Sequence, residues 1–173
     1  MSIIGSLLLG LGVGEVLGHG VLLPVGNHLD KKKTDKIMKE CENILQDKYK
    51  FKISKAFVIN CHIAYVAFSD SLKRVAIWYV DWKMRGYGKY NLLDSDLLFI
   101  DYKDIKSAEL ITDKTEKRKT VYNEIRVHIR KSDGNSLDLD FLIDKCKAER
   151  CSGLLRQAEQ LVDYFEHAIE IAG

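Results

Sequence analysis

From Lys147 to Ala172 the apolar residues Leu154, Leu155, Ala158, Leu161, Val162, Phe165, Ile169 and Ala172 recur at three- and four-residue steps. Arg156, Gln157, Glu159, Gln160, Asp163, Glu166 and Glu170 fill the opposite side. This spacing predicts an amphipathic helix whose apolar stripe must be buried against a partner surface. The material immediately before it is a succession of short β-branched and aromatic runs, so that surface is expected to be the face or open end of an antiparallel sheet.

The runs that build the sheet begin after Tyr49, where the hydrophobic period changes. Phe51 and Ile53, Phe57 to Ile59, Ile63 to Phe68 and Val75 to Val80 read as strands, and Asp70-Ser71 with the following Leu-Lys marks a hairpin turn. A long connection over Asp81 to Asp96 follows. Leu97 to Ile100, Ala108 to Thr112, Val121 to Arg130 and Leu137 to Leu142 supply further strands, and Asp133-Gly134-Asn135 closes the last hairpin. The expected domain is therefore α+β, with about seven antiparallel strands and a C-terminal helix. Before it, Thr34 is expected to cap a connector helix running to about Lys48, with Ile37, Met38, Cys41, Ile44 and Leu45 on one face. That face is expected to pack on the domain. The divisions are residues 1–30, 31–49 and 50–173.

Residues 3–25 are almost wholly apolar or glycine, interrupted by Glu15, His19 and Pro24. As a helix this stretch would span about 35 Å, enough to cross a hydrocarbon core of about 30 Å. Gly10, Gly14 and Gly18 fall on one helical face in the small-xxx-small pattern that lets helix backbones approach closely in lipid. Glu15 and His19 sit one turn apart, in reach of each other or of a neighbouring copy. A glycine-rich loop or a buried helix of the folded domain is the competing reading, because a carboxylate near mid-span is costly to insert. A secretory signal fits poorly without a basic start, and Gly12, Gly14 and Gly18 only loosely match a nucleotide-binding glycine turn. No lysine or arginine precedes Lys31, Lys32 and Lys33, so the positive-inside bias places the main domain in the cytoplasm, at a membrane.

The order of strands and helix resembles a bacterial pleckstrin-homology-like domain. The likeness covers roughly Phe51 to Ala172 and rests on three places. These are the hairpin around Ala64 to Ile77, the aromatic-x-Asp-Ile step in Tyr102-Lys103-Asp104-Ile105, and the closing hairpin before the helix. It implies a small bent antiparallel β barrel closed by the C-terminal helix, and it implies no catalytic set.

Two basic clusters are candidates for contact with an anionic partner. Lys31, Lys32 and Lys33 follow the apolar segment, where they would reach acidic lipid. Trp82, Lys83, Arg85, Tyr87, Lys89 and Tyr90 interleave bases and aromatics in one glycine-flanked stretch, a composition suited to phosphate, headgroup or protein. A third cluster, Lys114, Lys117, Arg118 and Lys119, is diluted by Glu116 and reads as a solvated hairpin tip. The net charge of +2 does not point to nucleic acid. Cys41, Cys61, Cys146 and Cys151 show no paired metal-ligand spacing, so reduced structural thiols are expected. Cys61-His62 is an adjacent nucleophile and base, but neighbours on a strand point to opposite faces. The expected function is a non-enzymatic, cofactor-free binding module at a membrane, contacting protein or anionic lipid. The alternatives are an assembly-forming protein that oligomerises through the glycine face, and an enzyme using Cys61 or a nucleotide.

Overall fold

A computed structural model of the chain describes residues 27–59, 64–79, 96–116, 118–142 and 145–173, with residues 27–34 and 37 described by their backbone alone. Helix α1 spans Asn27–Tyr49. It starts well before Thr34, which lies inside it rather than capping it. Nothing between Asn27 and Thr34 breaks a helix, and lysine sustains one nearly as well as leucine. At the other end Lys50 takes a left-handed φ of 53°, turning the chain so that the Phe51 N–H donates to the Leu45 carbonyl at 2.9 Å. Phe51 and Ile53 thus pack beside the helix instead of pairing as a strand.

The first sheet is a meander of β1 (Lys55–Ile59), β2 (Ala64–Ser69), β3 (Arg74–Tyr79) and β4 (Leu97–Asp101), each antiparallel to the next. A 3-10 turn, Tyr102–Asp104, carries the chain into the second sheet. That sheet holds β5 (Ile105–Glu116), β6 (Thr120–Lys131) and β7 (Ser136–Asp140) in sequential order, with β8 (Cys146–Lys147) pairing with the start of β6. Helix α2 spans Ala148–Ala172. The architecture is α+β with two antiparallel sheets and a C-terminal helix; among the described residues no ladder joins the sheets into a closed barrel.

β5 is longer than its apolar pattern predicts, because a bulge between Asp113 and Lys114 lets its polar end keep pairing with β6. β8 is too short for periodicity to reveal. The aromatic-x-Asp-Ile step does lead into a strand, with Tyr102 fully buried and β5 beginning at Ile105. The final hairpin turns at Gly134, whose φ of 87° suits a residue without Cβ. The Asp133 carboxylate accepts the Asn135 N–H at 2.9 Å and pairs with Lys131. These contacts, the backbone hydrogen bond first, pull its pKa down to about 2.

Two apolar clusters lie on opposite faces of the first sheet. Phe57, Ile59, Val66, Phe68, Val75 and Ile77 point toward the second sheet, where Ile125, Val127, Ile129 and Leu139 meet them. Helix α2 adds Cys151, Leu154, Ala158, Leu161, Phe165 and Ala168 to this cluster, while Leu155, Val162, Ile169 and Ala172 of the predicted stripe are half-buried at its edge. On the other face Val58, Tyr65, Ala67, Ala76 and Trp78 meet Cys41 and Leu45 of α1, with Met38 and Ile44 packed alongside. All six residues of β2 are buried because both of its faces are covered. The apolar core therefore reaches back past residue 50 into α1.

Candidate functional site

The residues singled out from sequence fall largely outside the described structure. Gly10, Gly14, Glu15, Gly18 and His19, the basic and aromatic residues Trp82, Lys83, Arg85 and Lys89, and the Cys61-His62 pair all lie beyond the described residues. Lys31, Lys32 and Lys33 lie in α1, where the backbone alone is described. Three polar features remain within the described fold.

The first is a junction at Asp70, in the turn between β2 and β3. Its carboxylate accepts the Tyr102 hydroxyl at 2.9 Å on Oδ1 and the Tyr164 hydroxyl at 3.1 Å on Oδ2. Its backbone N–H donates to Ser54 Oγ at 3.0 Å. The turn needs a left-handed residue, Lys73 with φ of 51°, and the Lys73 carbonyl accepts the Tyr102 N–H at 2.8 Å. One side chain thus ties the hairpin to the 3-10 turn and to α2. Burial, then the bond to Asp70, raises the pKa of both tyrosines, Tyr164 to about 12. Each carboxylate oxygen holds a hydroxyl, so the junction works as a latch between elements.

The second is the outer face of the second sheet. Register places Glu109, His128 and Asp138 in one row across β5, β6 and β7, with Ile111, Arg126 and Asp140 in the next. His128 Nδ1 lies 2.6 Å from Asp138, which also accepts from Arg126 at 3.3 Å. Arg126 Nε lies 2.7 Å from Glu124 as an ion pair without hydrogen-bond alignment. Arg130 faces Glu109 at 3.8 Å. The charges compensate across strands, as an exposed sheet face requires, and among the described residues no group of three His, Cys, Asp or Glu side chains is set to hold a metal. At the tip of the β5–β6 hairpin Lys114 pairs with Glu116 at 2.6 Å, so this basic cluster is partly neutralised.

The third is a lysine rim. Lys48, Lys50, Lys52 and Lys55 are exposed around the end of α1 and the approach to β1, while Phe51 is buried and Ile53 half-buried between them. No acidic residue occurs between Lys48 and Asp70. Sequence reasoning missed this rim, although the alternation of lysine with buried apolar residues carries its signal. Lys48 lies over the Tyr49 ring and Lys55 over the Phe57 ring, at 5.3 Å and 5.5 Å from the centroids. No protein-family model, curated protein or solved structure matches the chain.

Proposed function

We propose that the chain is a non-enzymatic binding module held at a membrane by residues 1–30, with a pleckstrin-homology-like domain that contacts an anionic surface of lipid or protein. The observation that carries this reading is α1. It runs unbroken from Asn27, directly after the apolar segment, to Tyr49, and its 23 residues end with Cys41 and Leu45 inserted into the domain core. A helix of this length spans about 34 Å. Whatever surface residues 1–26 enter, the domain follows on a docked helix rather than on a loose linker. The succession of two four-stranded antiparallel sheets and a C-terminal helix, in that chain order, supports the pleckstrin-homology-like reading. The lysine rim, with Lys31, Lys32 and Lys33, supports an anionic partner.

The experiment is binding of the full-length chain to vesicles with and without acidic lipid, across salt concentration. Lys83→Glu combined with Arg85→Glu is expected to leave partition into neutral vesicles intact and to weaken the salt-sensitive part of binding to acidic ones. Charge in water acts over a Debye length of about 8 Å at physiological salt. Undiminished binding by the double variant would remove the stretch around Lys83 and Arg85 as the contact surface.

A further inference from the structure

The N-cap of α2 is Lys147, so Cys146 is the residue before the cap and Cys151 the fourth residue beyond it. Side chains at these two positions close on one another at a helix start, an arrangement normally made by two apolar residues. Here both are thiols. Cys151 is fully buried in the cluster beneath α2, and Cys146 is half-buried and packed against that cluster. Pairing of Cys146 with Tyr122 and of Lys147 with Val121 fixes the backbone before the helix, and Cys146 Sγ lies 3.6 Å from the Lys147 carbonyl. Cys41 belongs to the cluster on the opposite face of the first sheet, out of reach of this pair.

We propose that Cys146 and Cys151 form a dithiol site whose substrate is a low-molecular-weight disulfide, and that exchange with it closes a reversible Cys146–Cys151 disulfide. Cys146, the more accessible, loses its proton to water, and its thiolate attacks one sulfur of the small disulfide. The sulfur–sulfur bond of the reagent breaks, one small thiol leaves with the electron pair and takes up a proton, and a mixed disulfide remains on Cys146. Cys151 then releases its proton and attacks the Cys146 sulfur, expelling the second small thiol. Two protein thiols are oxidised to one disulfide and one small disulfide is reduced to two thiols, so no other oxidant is needed. Cys151, with no exposed surface, is the resolving partner, and burial pushes its thiol up to about 12.

The test treats the reduced full-length protein with oxidised glutathione, traps free thiols by alkylation and maps the peptides by mass spectrometry. The expected product is a Cys146–Cys151 disulfide, lighter by two hydrogens, reopened by dithiothreitol and formed at least about tenfold faster than modification of Cys41. Cys151→Ser should retain glutathione on Cys146, and Cys146→Ser should leave Cys151 unmodified. Should either variant fail to fold, the map of the unsubstituted protein decides alone. Stable glutathione on Cys146 without closure, or both thiols still alkylated after Cys41 has reacted, would overturn the proposal.

Discussion

Asp70 joins three elements with one side chain, and Tyr102 is the deeper of its two partners, with no exposed surface. Tyr102→Phe keeps the ring and removes the donor, so the expected loss is about 1–2 kcal/mol, read as a lower urea midpoint. An unchanged midpoint would show that the junction contributes nothing. Alkali tests the tyrosines together. Tyr65, Tyr79, Tyr102 and Tyr164 are all raised above the ordinary value of 10.0, chiefly by burial, with Tyr79 and Tyr164 reaching about 12. The folded chain holds these protons more tightly than the unfolded chain. Their contribution is therefore complete below about pH 10 and is lost as pH rises toward 12. Denaturation midpoints should fall across that window, with ionisation of these tyrosines delayed until unfolding. Ionisation of all eight tyrosines near pH 10 without loss of stability would contradict the packing.

Among the elements, α2 was the most legible, because its stripe repeats over many turns and its burial decides the pattern. Phe165 touches the Phe68 ring at 4.9 Å between centroids and has no exposed surface. Phe165→Asp should cost at least about 3–5 kcal/mol, since it removes the ring and buries a carboxylate without a partner. An unchanged melting temperature would show that the stripe faces elsewhere. Most strands and both hairpin turns were equally readable, but β8 was not, because two residues carry no period. The start of α1 was misplaced because Thr34 resembles a cap, whereas no local signal separates a lysine run that begins a helix from one that continues it. The candidate contact residues were chosen from composition, and their placement lies outside the described fold. The lysine rim became visible only when Phe51 and Ile53 were seen to turn inward. Leu45 separates a docked α1 from a mere connector. Leu45→Ala should cost about 2–5 kcal/mol in thermal or urea unfolding; no loss would mean that α1 is not part of the core.

On the scale of the whole molecule, a domain with two covered sheet faces receives its N-terminal apolar segment through a helix that belongs to its own core. The helix start, Asn27, is therefore the place to separate the two parts. A cut at residue 50 would strip Cys41 and Leu45 from Tyr65 and Trp78 and expose an apolar face. The most direct measurement is flotation with lipid vesicles of the full-length chain beside a chain beginning at Asn27, with urea unfolding of both. With neutral vesicles, which leave the basic residues no charge to meet, the full-length chain should float, and the shortened chain should remain in the soluble fraction with the same unfolding midpoint. Equal flotation of the two, or a full-length chain that stays soluble beside vesicles, would contradict a module held at the membrane by residues 1–30.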